Sequence, residues 1–460
     1  MTEAILARSG RDSTRLAAGW LRLAVASLML AGFTAILVAL ARTPGLQALV
    51  GPQGFRLFLV GHVNFSLTVW CLGFISAAWA WLATREGYGV PDRLGKPGLA
   101  LGAAGTLAMA IATILAQGRP LLVDYLPLIT HPLFELGLIA FFGGTTLMAL
   151  GFLAGTSWFP LTGPDRRSFP VQALRIAALA EIAAVIALLV AVTAGWRGDW
   201  QLAAWGGGHL LQVANASAMV GLWWYLAAGA EAPAPRWLSR TLPIYLLPCI
   251  GIPALYLMPG HTPVAIMRDL NWTAVAIPTT LAVGATFLRL WNTAPLGATH
   301  HAALTSLILF SLGLGMALMG LEGDTRVTAH YHGTVGAVTV AFMGLAFRFL
   351  PDLGLSLRFG RLSRLLPQMY GFGLMLLIAG LYWASMFGGQ RKVFETFAHQ
   401  QGLWGPLVPF GAGAVVTVIA GIAFIWVLGA SAFGRPVAAA QLAVPAAEAA
   451  PPLAGPSPIP

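Results

Sequence analysis

Residues 322–340 read "EGDTRVTAHYHGTVGAVTV", and they begin an apolar segment that continues to about residue 349. Two histidines, His330 and His332, stand one residue apart near the start of this segment. In an α-helix each residue is rotated by about 100° from the last, so the two imidazoles point roughly 200° apart. We therefore expect them to bind two groups on opposite sides of one helix. The small residues Gly333 and Gly336 would let a bulky planar group or another helix approach closely.

The rest of the chain is as apolar as this segment. It has 460 residues, of which 58% are apolar and only 9% are charged, whereas soluble domains carry about 25% charged residues. Runs of about twenty apolar residues recur throughout, and each can cross about 30 Å of hydrocarbon. The arginines behind the net charge of +10 lie between these runs and form no single basic domain, which argues against nucleic-acid binding. We predict an all-α, polytopic membrane protein.

The apolar runs predict about twelve transmembrane helices within a membrane domain at residues 17–430. A basic N-terminus at residues 1–16 precedes this domain, and a Pro/Ala-rich tail at residues 431–460, expected to be disordered, follows it. The predicted spans are 17–41, 57–83, 97–117, 132–155, 172–195, 203–228, 242–260, 270–293, 302–320, 328–349, 366–387 and 404–430.

The distribution of basic residues predicts the orientation in the membrane. With a cytoplasmic N-terminus, eight of the 26 Lys and Arg residues fall on the outer side and the other eighteen on the inner side. Cytoplasmic loops carry the excess of basic residues, so both termini should be cytoplasmic. The eight outer residues are Arg42, Arg56, Arg119, Arg197, Arg268, Arg326, Arg391 and Lys392.

Six histidines from five predicted helices lie at one depth near the outer face. Each alone could be a helix-end histidine hydrogen-bonded at the interface, but polar residues are costly in a membrane. Because imidazole is a common ligand of haem iron and copper, the shared depth favours a layer of redox metals. The six are His62, His131, His209, His261, His330 and His332. The pair His300–His301 falls on the inner side, where it is either a proton entrance or part of a solvated loop.

These histidines resemble those of subunit I of the haem–copper oxidase superfamily. The stretch "GHVNFSLTVWCLGF" on helix 2 supplies His62, and its His-x-Asn and Val-Trp look most like the branch of cbb3-type cytochrome oxidases and nitric oxide reductases. The resemblance implies two haems of unspecified type. His62 and His332 would bind a low-spin haem, and His330 would bind a high-spin haem.

The resemblance also implies a second catalytic metal, which is copper in the oxidases and non-haem iron in the nitric oxide reductases. The stretch "WGGGHLLQV" on helix 6 offers His209, and "LYLMPGHTPV" offers His261, 52 residues later (261 − 209). The family places a His-His pair at the second position, but here Gly260 precedes His261, so one ligand is missing.

Two further stretches match the family. Asp324 and Thr325 resemble an Asp-Thr that precedes the His-x-His in many oxidases, although one residue closer to it here. The stretch "GGQRKVFETF" resembles a Gly-x-x-Arg-Arg segment whose cations hold the haem propionates. That role would fall to Arg391 and Lys392.

Several candidates keep two interpretations. Tyr256 is either the catalytic tyrosine of a cbb3-type site or a packed aromatic residue. Glu135 is either a catalytic proton carrier or iron ligand, or an intramembrane acid paired with a neighbouring helix. His131 is either a substitute metal ligand or a helix-start residue. Gln212 lies near the position where nitric oxide reductases place a glutamate, which counts against that activity.

The resemblance implies a cytochrome c oxidase-like catalytic subunit in a bacterial inner membrane, reducing dioxygen at a haem and copper site. The sequence contains no Cys-x-x-Cys-His, so we expect electrons from a cytochrome c-type donor or subunit. Besides this donor, we expect contacts with dioxygen and membrane lipid. One alternative is a nitric oxide reductase-like subunit with non-haem iron. Another is a haem-binding electron-transfer, sensor or assembly protein that lacks a complete binuclear centre. A transporter with histidine-lined cavities would bind no haem.

Overall fold

The fold is an all-α membrane bundle with one short β-hairpin. The computed structural model describes residues 2–43, 45–87, 89–115, 117–156, 168–194, 199–229, 232–258, 264–293, 296–321, 323–392 and 404–434. Its long helical segments are α1 (Thr2–Arg42), α2 (Gly51–Arg85), α3 (Asp92–Ile114), α4 (Pro132–Gly155), α5 (Phe169–Thr193), α6 (Trp200–Ala228), α7 (Arg236–Tyr256), α8 (Val264–Trp291), α9 (Ala298–Leu318), α10 (Thr325–Phe349), α11 (Gly360–Ser385) and α12 (Trp404–Ala432). The hairpin consists of β1 (Arg119–Leu121) and β2 (Leu128–Thr130).

Within the described residues, eleven of these segments are long and apolar enough to cross a membrane. The remaining segment, α6, is more polar because it carries His209, Gln212 and Asn215 in the interior of the bundle, where most of its residues are buried. Large apolar side chains such as Leu189, Ile250 and Leu318 are exposed along the outside of other helices, as expected for surfaces that face lipid. The predicted polytopic α-helical class is confirmed.

The predicted spans match the observed helices closely, with two informative differences. Helix α1 begins at Thr2, well before the predicted start at residue 17. Helix α2 is interrupted by a π-helical turn at Asn64–Val69, directly after His62. Such turns are rare and occur frequently at functional sites. The predicted tail at residues 431–460 lies almost entirely outside the described residues.

Several successive helices pack closely side by side, among them α3 with α4 and α11 with α12. Helices α3 and α4 approach so closely that a Cβ atom at Gly98 would stand 2.9 Å from the carbonyl oxygen of Gly144. Small residues at such crossings let the backbones touch, which stabilises helix pairs in lipid. We call the end of the bundle that carries β1 and β2 the hairpin end, and the end where α2 and α10 terminate the opposite end.

The hairpin was not predicted from the sequence. Its antiparallel strands pair Arg119 with Thr130 and Leu121 with Leu128. The loop between them contains Asp124 and Tyr125, and Tyr125 has a positive φ of 68°. This conformation is unusual for a bulky residue and is held only where surrounding contacts enforce it.

Candidate functional site

Four of the predicted ligand histidines share one hydrogen-bond arrangement. In each, Nδ1 donates to a backbone carbonyl oxygen at 2.7–3.1 Å, and a carbonyl can only accept. The proton is therefore on Nδ1, and Nε2 of the neutral ring keeps its lone pair. Metal-binding histidines are oriented in this way by their outer partners. The four are His62 with Ala31, His209 with Trp205, His330 with Gly313, and His332 with Thr328.

The two histidines of α10 face different neighbours. His330 donates to Gly313 of α9, and its ring lies nearly parallel to that of Trp272 on α8, with centroids 6.4 Å apart. His332 lies within electrostatic reach of His62 on α2. The one-residue spacing thus places the imidazoles on separate sides of α10. His62 and His332 belong to separate helices, α2 and α10.

The glycines beside these histidines serve helix packing. A Cβ atom at Gly333 would stand 2.6 Å from Cα of Gly313 on α9, so the two backbones are in direct contact there. At Gly336 a Cβ atom would meet the side chain of Leu374 on α11. Of the two predicted uses of these glycines, the structure shows the approach of another helix.

His209 lies in an aromatic environment and is only 3% exposed. Its ring stacks on Trp205 with centroids 3.5 Å apart, and the ring of Tyr125 in the hairpin loop lies 4.2 Å away. Burial and the neighbouring Asp124 carboxylate raise the pKa of the Tyr125 phenol. The side chain of Gln212, one turn after His209, lies close enough to Tyr125 to oppose this rise in pKa.

Asp124 is the centre of what we call the hairpin cluster, formed by Asp124, Tyr125, Gln201, Arg391 and Lys392. Lys392 donates to Asp124 Oδ1 at 2.6 Å, and Arg391 donates to Oδ2 at 3.1 Å. Gln201 at the start of α6 accepts from the backbone N–H of Asp124 and donates to Oδ2. Burial would raise the pKa of Asp124, but the hydrogen bonds and charges of Lys392 and Arg391 outweigh it and hold this pKa below its ordinary value.

The two predicted propionate-binding cations therefore bind a carboxylate of the chain itself. Arg391 and Lys392 donate their side-chain N–H groups to the Asp124 carboxylate at the hairpin end. Lys392 also has a positive φ of 59°, so two of the three described non-glycine residues in this conformation belong to the hairpin cluster. Backbone strain of this kind concentrates at functional sites.

Further contacts join the hairpin cluster to the histidine-bearing helices. Asp324, the N-cap of α10, forms a β-bridge with Gln390, and the Thr325 N–H donates to the carbonyl of Gly389. Asn64, at the π-helical turn of α2, donates to the carbonyl of Pro127 in the hairpin loop. The stretches that resemble the oxidase family thus meet at one end of the bundle, around a hairpin that the sequence did not predict.

Three other candidates have local structural roles. His131 is the N-cap of α4, and its Nδ1 accepts from the Leu133 N–H, so its hydrogen bonding is opposite to that of the four histidines above. Glu135 is exposed in the first turn of α4, where a carboxylate complements the helix dipole, and it forms no ion pair within the described residues. These contacts support the interpretation of His131 as a helix-start residue. They do not support the interpretation of Glu135 as an intramembrane acid paired with a neighbouring helix.

The hydroxyl of Tyr256 is bound to the backbone of α6. It donates to the carbonyl of Leu202 at 2.8 Å and accepts from the N–H of Gly206 at 2.8 Å, and so bridges two groups one helical turn apart. Tyr256 is therefore engaged in joining α7 to α6. The tyrosine in ring contact with His209 is Tyr125, and no sequence pattern singled it out.

The predicted second metal site falls only partly within the described residues. His261 and Gly260 lie outside the described residues. Among those that are described, no three His, Cys, Asp or Glu side chains converge as a metal-binding group. His209 is the described member of the predicted set.

Comparisons with known proteins give relatives but no activity. No family model matches the chain. It is 27% identical over 359 residues to an uncharacterized protein of Aquifex aeolicus (strain VF5), covering 76% of this chain and 88% of the relative. It is 22% identical over 512 residues to an uncharacterized protein of Rickettsia prowazekii (strain Madrid E), covering 91% and 96% of the two chains.

Proposed function

We propose that this chain is a haem-binding membrane oxidoreductase of the haem–copper oxidase type, which passes electrons between two haems and reduces dioxygen at the second. The observation that carries the proposal is the shared orientation of His62, His209, His330 and His332. Each has Nδ1 fixed by a backbone carbonyl and Nε2 available as a ligand.

His62 and His332 would hold one haem, and His330 would hold the other. Bound haem would supply reversible one-electron chemistry and a site for dioxygen. The chain itself fixes the three imidazole rings through hydrogen bonds from Nδ1 to backbone carbonyls. We place the hairpin end at the outer face of a bacterial inner membrane, with both termini cytoplasmic, because the basic residues predict that orientation. A cytochrome c-type donor would then act at the hairpin end.

The hairpin cluster would orient the groups around His209. The ring of Tyr125 lies 4.2 Å from that of His209, whereas the hydroxyl of Tyr256 is bound to the backbone of α6. Tyr125 is therefore a better candidate than Tyr256 for a proton-donating tyrosine beside a metal at His209. Copper is the expected metal, and non-haem iron would indicate a nitric oxide reductase-like activity.

A second candidate is an electron-transfer, sensor or assembly protein that binds two haems and no third metal. The presence of Gly260 in place of a second histidine favours it. Metal analysis separates the two candidates. A third metal atom per chain supports the oxidase type, and its absence supports the electron-transfer type.

The test is the haem content and spectrum of the purified protein. We expect two haems per chain, one of which binds carbon monoxide after reduction. His62→Ala and His332→Ala should each remove the bis-histidine spectrum, whereas His330→Ala should remove the carbon monoxide-binding haem. His131→Asn is the matched control, because asparagine preserves the N-cap of α4 and the spectrum should not change. A wild-type protein that folds and contains no haem would refute both candidates.

A further inference from the structure

At the opposite end of the bundle, five helix ends surround a cavity of about 340 Å³. The ends of α2, α8 and α10 contribute Arg85, Arg289 and Arg348, and the start of α9 contributes Thr299 and His300. We call this space the arginine cavity. All three arginines are exposed, so the cavity is open to the surface. It lies at the other end of the bundle from the hairpin cluster and is separate from the candidate haem-binding histidines.

The arginine cavity has an excess of positive charge. Arg85 is paired with Asp352 at 3.2 Å, and Trp81 donates to the same carboxylate oxygen at 3.0 Å. Among the described residues, neither Arg289 nor Arg348 forms an ion pair. Cations near a helix C-terminus interact favourably with its dipole. That interaction explains why each arginine lies at the end of its own helix. It does not explain why arginines from three helices line the same cavity.

Two further polar side chains of the cavity, His300 and Thr299, can donate hydrogen bonds to a ligand. Nδ1 of His300 accepts from the Gly297 N–H at 2.9 Å, so the proton of the neutral ring is on Nε2 and is available to a ligand. Thr299 adds a hydroxyl, and α9 begins at the cavity, which brings the positive end of its dipole. No carboxylate lines the cavity within the described part of the chain. A ligand here would need several acceptor atoms and negative charge.

We propose that the arginine cavity binds a phosphate group, either of an anionic lipid headgroup or of a soluble phosphate compound. Guanidinium groups bind phosphate oxygens in bidentate geometry, and this geometry favours arginine at phosphate sites. Basic pockets between transmembrane helices at the membrane surface bind phosphate-bearing lipid headgroups. The volume of about 340 Å³ also falls in the range of small-molecule sites.

The test compares two phosphate sources on the full-length protein in neutral detergent. Native mass spectrometry measures retention of phosphatidylglycerol against phosphatidylcholine, and a separate titration with inorganic phosphate follows thermal unfolding. We expect binding of at least one source to be about 30-fold weaker in R289Q/R348Q, since each arginine near anionic lipid contributes roughly a factor of five. Loss in the lipid arm alone identifies a headgroup site, and loss in the phosphate arm identifies a soluble ligand.

The matched control is R361Q/R364Q, which removes two exposed arginines from the start of α11 at the same end of the bundle. An equal loss in this control would show general surface attraction and overturn the proposal, as would unchanged binding of both sources in R289Q/R348Q. A second measurement, which needs no variant, is the modification of arginine side chains by phenylglyoxal with and without bound ligand. The bound ligand should protect Arg289 and Arg348 in the wild-type protein but not Arg361, and equal modification with and without ligand would also overturn the proposal.

Discussion

Replacing Asp124 with asparagine tests whether the hairpin cluster stabilises the hairpin end. The carboxylate accepts from Lys392 at 2.6 Å and from Arg391 at 3.1 Å, and the three side chains are 28%, 29% and 21% exposed. Hydrogen bonds to charged groups contribute about 1.5–3 kcal/mol when shielded, and fully exposed ion pairs contribute about 0.2–1 kcal/mol. For these partly buried pairs we expect Asp124→Asn to lower the free energy of unfolding by about 2 kcal/mol.

The assay is equilibrium unfolding in mixed detergent micelles, followed by the reaction of a thiol-reactive fluorophore with Cys71 in a Cys249→Ser background, since Cys249 is also a free cysteine. Cys71 is 0% exposed, so its thiol reports opening of the bundle. The control is Asp269→Asn, which removes an exposed ion pair with Arg268 and should leave stability unchanged. Equal stability of the wild type and Asp124→Asn would refute the role of the cluster.

The pH dependence gives an independent check on the same residue. Because the folded protein holds the pKa of Asp124 below its ordinary value, the carboxylate contributes stability above the unfolded pKa, near 3.9, and loses that contribution as pH falls through the folded pKa. The stability difference between the wild type and Asp124→Asn should therefore be constant from about pH 7 to 5 and should shrink below about pH 4. A difference that closes near pH 6 would assign the effect to another group.

Three further variants test the packing around the site. Tyr256→Phe should lower the free energy of unfolding by about 1 kcal/mol per lost hydrogen bond to α6 and should leave the haem spectrum unchanged. A change in haem content would instead support a role of Tyr256 at the cofactor. Gly333→Ala should lower the free energy of unfolding by about 1–3 kcal/mol, because the added Cβ would stand 2.6 Å from Cα of Gly313. The control Gly315→Ala should be tolerated, because no atom lies within 4 Å of the added Cβ. Asp324→Ala should cost about 1 kcal/mol through loss of the N-cap of α10, measured by the same unfolding assay, and an unchanged midpoint would contradict that role.

The spans of this protein were predictable because one strong constraint determines them. A segment that crosses hydrocarbon must be helical, apolar and about twenty residues long, and these requirements appear directly in the sequence. Helix α4, predicted at residues 132–155, has those bounds in the structure. The placement of His330 and His332 on separate sides of α10 was also predictable, because it depends only on helical geometry.

The hairpin cluster was not predictable in the same way, since its strands have three residues each and its contacts join distant parts of the chain. Asp124 and Lys392 are 268 positions apart, and neither the short strands nor a lone Asp-Tyr indicates that they meet. The sequence did identify Arg391 and Lys392 as carboxylate-binding cations, but from a resemblance that concerned a different carboxylate. The interpretation of Tyr256 showed the same limit. The resemblance left it as either a catalytic tyrosine or a packed aromatic residue, whereas the structure shows its hydroxyl bound to the backbone of α6 and the ring of Tyr125 beside His209.

The positions of some candidate functional residues can be predicted from sequence pattern, whereas those of others become apparent only in the folded structure. The four candidate ligand histidines lie on helices, where backbone carbonyls fix their tautomers. Most of the hairpin cluster lies in the hairpin loop and in the turn after α11, where Tyr125 and Lys392 adopt positive φ values of 68° and 59°. Because such conformations cost roughly 1–3 kcal/mol each, they persist only when the surrounding contacts enforce them. The ion pairs of Asp124 supply those contacts, which is why the hairpin cluster, rather than any further histidine, should determine how the site at His209 behaves.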